Sequence, residues 1–252
     1  IRQPAFDKSQ IHYMSRGDKY RHGLRKDKRM VQLTREHGWS AEDVKVAEEL
    51  VDMPAAFGLH NSMFLKTLRS QSNDEQQELF TKPAENFEII GVRPSSSSSS
   101  LRFLPFLLAR CRLTRSSRSS RSQCYAQTEL GHGSNVQGLE TTATYRPETK
   151  SFVINTPGMS SMKWWIGGLG RTADHAVVMA QLYTPDGKDG KLVKRGPFPF
   201  VVPLRDRKTR ELLPGRTVMD IGPKAGYPMT DNGTAIVRPR SLILGRLARR
   251  RN

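Results

Sequence analysis

The chain has 252 residues, 36% of them hydrophobic, and 41 Lys and Arg against 24 Asp and Glu give a formal net charge of +17. This length suits one or two domains, and no run approaches the ~20 apolar residues that span a bilayer, so no membrane span is expected. Two cysteines, Cys111 and Cys124, are too few for a disulfide framework or a Cys-rich zinc site, and no metal is expected. The chain begins at Ile1 rather than Met, which predicts a fragment of a longer protein, and no secretory signal or Arg-rich transit peptide is read at its start.

The first 91 residues read as a helical domain. Residues 18–37 are charged but carry Leu24, Met30, Val31 and Leu33, and Gly38 supplies a C-terminal stop. Ser40 with Asp43 resembles a capping box, followed by Val44, Val46, Ala47, Leu50 and Val51 at helical spacing. Residues 59–68 give a further amphipathic series through Met63, Phe64 and Leu68. Ser72 with Glu75 predicts the start of a short helix carrying Leu79 and Phe80, and Pro83 predicts its end.

Residues 92–123 break this pattern. They hold a run of six serines at 95–100, an Arg/Ser alternation at 115–122, seven Arg and no acid. Such a composition buries too little apolar surface to offset its ordering entropy. Two readings are open: an RNA-binding or phosphorylatable tract, or a translated intron. Val92 codons begin with GT, Gln123 can be CAG, and 32 codons keep the frame, all of which suit the intron. Residues 234–252 hold six more Arg and no acid. Removing these thirteen arginines leaves +4 on the other 201 residues, so the charge is not a nucleic-acid face and no nucleic-acid partner is expected.

From Cys124 the period changes to that of strands. Residues 141–145 and 151–155 are β-type runs around a Pro147-Glu-Thr-Lys150 turn. Residues 176–182, 198–204 and 217–221 are further candidates, and the tail from Thr234 has no clear periodicity. Helices followed by strands predict an α+β fold.

Three patches in the strand block carry candidate chemistry. Thr128-Glu-Leu-Gly131-His-Gly133-Ser134 offers backbone N–H groups and hydroxyls to an anion, and equally suits a plain glycine turn. Lys163-Trp164-Trp165-Ile-Gly167-Gly-Leu-Gly170 sets adjacent tryptophans on opposite strand faces, one for the core and one for a site. Asp220-Ile-Gly-Pro-Lys-Ala-Gly-Tyr227 with Asp231-Asn-Gly233 is turn chemistry.

Taken in this order, the patches resemble the peroxisomal acyl-CoA oxidase family, a branch of the acyl-CoA dehydrogenase superfamily. Gly91 joined to Cys124-Tyr-Ala-Gln-Thr-Glu-Leu-Gly-His-Gly-Ser134 resembles the flavin motif. Ser161-Met-Lys-Trp-Trp-Ile-Gly-Gly-Leu-Gly170 and Leu213-Pro-Gly-Arg-Thr-Val218 resemble the second and third motifs. The likeness covers residues 6–91 and 124–233 and skips both Arg-rich segments. It departs at Ile166, where the family usually has Pro, and after Gly233.

The resemblance implies an N-terminal helical domain (1–91), an insert (92–123), an FAD-binding, β-barrel-like middle domain (124–233), an aberrant basic tail (234–252) and a missing C-terminal helical bundle. It implies a flavoprotein that takes a fatty acyl-CoA to the trans-2-enoyl-CoA and passes electrons to O2, giving H2O2, in the peroxisome and as a homodimer. Thr128 would bond the flavin ring edge, Ser134 the pyrophosphate, Gly167 the flavin, and Trp165 would pack on the isoalloxazine. No catalytic residue is expected in this chain, because no carboxylate matches the family's glutamate base; Glu129 and Asp220 read as turn or strand-end residues. The alternatives are an acyl-CoA dehydrogenase serving an electron-transfer flavoprotein, or a basic RNA-associated protein.

Overall fold

The computed structural model describes residues 3–51, 56–86, 123–186, 190–206, 209–239 and 242–243. Gly91, all of the Ser/Arg segment but Gln123, and residues 240–241 and 244–252 of the basic tail therefore lie outside the described residues.

The helical half begins with α1 (Arg16–His37). Ser15 caps it, its hydroxyl accepting from Asp18 N, and Gly38 ends it at φ 62° with its N–H on Thr34 O. The box expected ahead of α2 (Ala41–Val51) is present: Ser40 N donates to Asp43 Oδ2 at 2.8 Å and Asp43 N to Ser40 Oγ at 3.1 Å. A π-turn (His60–Phe64) leads into α3 (Leu65–Gln71).

The next helical stretch departs from expectation at both ends. Its cap is Asn73, boxed with Gln76, while Ser72 lies buried one residue earlier. Pro83 does not end it. Lys82 and Pro83 follow the π-helical turn Gln77–Thr81 directly, and the helical backbone runs on through Pro83 to Glu85.

The strands are β1 (Cys124–Ala126), β2 (Thr142–Arg146), β3 (Ser151–Asn155), β4 (Lys163–Ile166), β5 (His175–Pro185), β6 (Leu192–Pro203), β7 (Arg216–Asp220), β8 (Gly233–Val237) and β9 (Leu242–Ile243). The α+β class holds. The strands form a six-stranded sheet, β1-β5-β2-β3-β9 with β6 on β5, and a three-stranded sheet, β4-β8-β7, rather than a closed barrel. The strand read at the adjacent tryptophans is present as β4, while β8 and β9 fall in the segment read as an aperiodic tail, and β8 occupies the centre of its sheet.

β5 is the spine of the large sheet. Its first half pairs parallel with β1, its second half parallel with β2, and its other edge antiparallel with β6. Its run from Ala176 to Ala180 is apolar because both faces are covered there. Ala176, Val178 and Ala180 face the sheet core with Phe200, Val202 and Leu204. Val177 and its partner Val201 face the other way and receive Phe64, Leu65 and Leu68 from the helical half. Period-2 alternation thus divides one apolar run between two cores.

Candidate functional site

Behind β1 the chain makes a tight turn, with Glu129 N on His132 O at 3.3 Å and His132 N on Glu129 O at 3.0 Å. The turn lies along β4: Trp164 N donates to Thr128 O at 3.1 Å, Leu130 N to Met162 O at 2.9 Å and Gly131 N to Ser160 O at 2.8 Å. A side chain at Gly131 would put its Cβ 3.0 Å from that of Ser160, so glycine permits this close pairing. Nothing lies within 4 Å of where Gly133 would carry a Cβ.

Thr128 is half-buried and its Oγ1 donates to Trp164 O at 2.9 Å. Ser134 is exposed at the end of the turn. Trp165 is 48% exposed and Trp164 half-buried, so neither tryptophan is the core residue that strand alternation predicts. A register shift inside β4 is the reason: Trp165 adopts φ 64°, an unusual conformation for a bulky residue, and Asn232 Nδ2 holds its carbonyl at 3.0 Å. Leu130 and Met159 are exposed with it, at 45% and 65%.

Gly167 is placed otherwise. It is buried, and a Cβ there would lie 2.4 Å from Leu59 Cδ1 and 3.5 Å from Thr230 Cγ2. Its missing side chain admits the helical half. Thr128 and Trp165 therefore share the β4 edge, with Ser134 beyond the turn, while Gly167 sits on the inner side of the following turn.

Two buried charges under this edge escaped the sequence reading. Lys163 Nζ donates to Gln127 O (3.0 Å), Met179 O (2.8 Å) and Glu129 Oε1 (3.0 Å). Glu129 accepts also from Thr141 N at 3.0 Å, Glu140 N at 2.9 Å and His132 Nδ1 at 3.0 Å. Burial works to raise the Glu129 carboxyl, but Lys163 and the Thr141 and Glu140 bonds outweigh it and hold it below its ordinary value. Burial pulls Lys163 down, against the attraction and hydrogen bond of Glu129, and its Nζ is set among three acceptors. Glu129 is thus no mere turn residue. Its one sequence signal was a lysine beside two tryptophans, and that did not name the partner.

The following turn has its own anchors. Asp231 accepts from Arg171 N (2.6 Å), Thr172 N (2.7 Å) and Thr172 Oγ1 (2.9 Å), and burial raises its carboxyl despite these bonds. Buried Arg205 donates to Gly170 O at 2.8 Å and Ala173 O at 2.6 Å. Asp220 ends β7 as expected, and there it joins Arg171 Nε at 2.9 Å and Arg16 of α1. Tyr20 of α1 hydrogen-bonds Thr172, its hydroxyl pushed up to about 12 chiefly by burial.

The β4 edge therefore combines an exposed indole, two exposed aliphatic side chains, a hydroxyl and an uncrowded glycine turn. This donor set suits a flat, partly apolar ring with an anionic tail, as a flavin dinucleotide has. Among the described residues no group of three His, Cys, Asp or Glu is placed to hold a metal, and no helix is long and apolar enough to cross a membrane.

Residues 1–90 match the acyl-coenzyme A oxidase N-terminal family model and residues 124–238 that of the acyl-CoA dehydrogenase middle domain. Peroxisomal acyl-coenzyme A oxidase 1 of Bos taurus is 39% identical over 236 residues, 92% of this chain and 30% of that protein. The structure of Arabidopsis thaliana acyl-CoA oxidase 1 superposes with a TM-score of 0.78 at 35% identity, over 98% of this chain and 32% of that one. Caenorhabditis elegans acyl-CoA oxidase-2, solved with FAD, ascaroside-CoA and ATP, gives 0.76 at 31% identity, over 98% and 32%. The chain thus spans under a third of the length of these relatives.

Proposed function

Because the chain belongs to the acyl-CoA oxidase family, we propose that it is the N-terminal and middle part of a peroxisomal, FAD-dependent acyl-CoA oxidase. The whole enzyme would take a fatty acyl-CoA to the trans-2-enoyl-CoA, pass the electrons to O2 to give hydrogen peroxide, and work as a homodimer. In this division residues 1–91 are the helical domain, 92–123 an insert, and 124 onward the middle domain through β8, which moves the start of the basic tail beyond Val237.

The observation that carries the reading is Trp165, exposed and held in a left-handed turn beside Thr128 and the glycine turn. Trp165 would pack on the ring. Thr128 gives its one hydrogen to Trp164 O and would give it instead to acceptors on the ring edge. Ser134 and the N–H groups around Gly133 would meet the pyrophosphate. Gly167, closed by Leu59, would contribute backbone rather than open space. When bound, the flavin supplies the two-electron redox chemistry.

Glu129 is no candidate for the base that takes the α-proton. Glu129 commits both oxygens to Lys163, Thr141, Glu140 and His132, which leaves it no site for a substrate proton. We assign the base to sequence outside this chain.

Titration with FAD tests the reading. Saturable quenching of flavin fluorescence is expected, at least ten-fold weaker in Trp165→Ala; a chain that leaves free FAD unquenched would sink it. Palmitoyl-CoA should yield no peroxide from this chain alone, and peroxide would place a base within it.

A further inference from the structure

We infer that Lys163 and Glu129 are the positioning pair of the candidate flavin edge, a buried charged clasp that holds residues 127–141 in the shape that presents Thr128 and the glycine turn. The inference rests on the flavin reading above for its ligand, but not for its geometry.

The geometry is unusual in its completeness. An ammonium has three hydrogens, and Lys163 gives them to Gln127 O, Met179 O and Glu129 Oε1. A carboxylate has about four acceptor sites, and Glu129 fills two on each oxygen: Lys163 Nζ and Thr141 N on Oε1, Glu140 N and His132 Nδ1 on Oε2. Both side chains are sealed from water, at 1% and 0% relative exposure.

These bonds tie the turn to its neighbours at the point where β1 and β2 reach their pairing with β5 and where only an isolated Glu129–Lys163 bridge joins the turn to β4. Gln127 and Glu129 flank Thr128, and both are gripped, one by its carbonyl and the other by its carboxylate. His132 is the turn itself. Glu140 and Thr141 lie where the chain returns to β2, and Met179 is on β5. A displacement of the Thr128 backbone would therefore have to break the clasp, while its hydroxyl stays free to turn to a ring acceptor. Outside it, Thr128, Leu130 and Trp165 are open to a ligand.

A buried ion pair is a poor device for stability alone, because an apolar pair of similar volume often serves as well or better. Its value lies in direction: charge-assisted bonds fix where carbonyls and amides point, and methylene groups do not. This separates a positioning role from a structural one. Replacing both partners should leave the fold standing and the edge misplaced.

The test uses the full chain and three variants, Lys163→Met, Lys163→Arg and the double Lys163→Met with Glu129→Met. Urea midpoints report the fold, amide exchange at Gly131 reports the edge without any ligand, and FAD titration reports its consequence. In the double variant we expect a cooperative transition at a lowered midpoint, because the Glu140 and Thr141 amides lose their acceptor, at least ten-fold faster exchange at Gly131, whose own acceptor Ser160 O is untouched, and at least a ten-fold rise in the Kd for FAD. Lys163→Arg, whose planar fork cannot reproduce the tripod, should show the same local changes to a smaller degree, and it stands in if the double variant does not fold. A folded variant with wild-type exchange and wild-type FAD affinity overturns the inference. If the wild type binds no FAD, the flavin reading fails, and exchange then decides the clasp alone: faster exchange in the variants supports it, unchanged exchange overturns it.

Discussion

The turns at 129–133 and 167–172 both hang from buried charged side chains, yet they serve opposite surfaces. In the first, Lys163 and Glu129 sit beneath the turn and the outer face is open at Leu130, Ser134 and Trp165. In the second, Asp231 and Arg205 hold the backbone, and the space at Gly167 is filled by Leu59 while Tyr20 and Arg16 of α1 reach in. The same local composition, glycines beside one leucine, thus makes a presented edge in one place and a joint between helices and sheet in the other. What differs is which element packs against the turn.

The largest effect should come from the joint. Asp231→Ala strands the buried Thr172 amide and the part-buried Arg171 amide, each an unmet group costing ~1–3 kcal/mol, while the Thr172 hydroxyl keeps Tyr20, so a loss of about 2–4 kcal/mol is expected in urea denaturation. Relief of the burial that raises the Asp231 carboxyl offsets part of this. A loss below about 1 kcal/mol would remove Asp231 as the anchor.

The first turn is tied to the helical half as well, through a titratable group. His60 is fully buried, its Nε2 donating to Ala84 O at 3.1 Å and its Nδ1 accepting from Gln123 N at 3.3 Å just before β1. Burial, the chief cause, lowers it from 6.5 to about 4. Between these values the unfolded chain binds the proton and the folded chain does not, so stability is full above pH 6.5 and falls as pH drops toward 4. At 1.36 kcal/mol per unit the loss is about 3 kcal/mol. Denaturation midpoints at pH 7 and 4.5 check it, with His60→Gln as the control that should flatten the dependence.

Two glycine substitutions sharpen the contrast between the turns. Gly167→Ala drives a methyl group against Leu59 and should cost about 1–3 kcal/mol of overpacking, recovered in part by a second Leu59→Ala change. An additive double variant would mean the two residues do not meet. Gly133→Ala meets nothing within 4 Å and should alter stability by no more than about 0.5 kcal/mol, while weakening FAD binding in the titration above. Unchanged FAD affinity would detach Gly133 from the proposed site.

What the amino-acid sequence determined by itself was set by short-range chemistry. Gly38 and the Ser40–Asp43 box act within a turn of helix, and the alternation that marks β3 acts within two residues. The three motif patches, and the charge confined to two Arg-rich segments, were equally legible. The missed cap at Asn73 was an error of one residue, since Ser72 and Asn73 both suit a cap and only packing shows which is buried.

The tertiary structure alone decided the site. β8 was unreadable because its pattern is meaningful only between β4 and β7. Trp165 faces outward because β4 shifts register against β8, and Gly167 faces inward because Leu59, over a hundred residues earlier, lies against it. Glu129 and Lys163 stand 34 residues apart, so their pairing exists only once β4 lies along the turn. Local patterns report the period of an element, but burial, pairing of charges and open edges depend on which elements meet, and no local spacing encodes that.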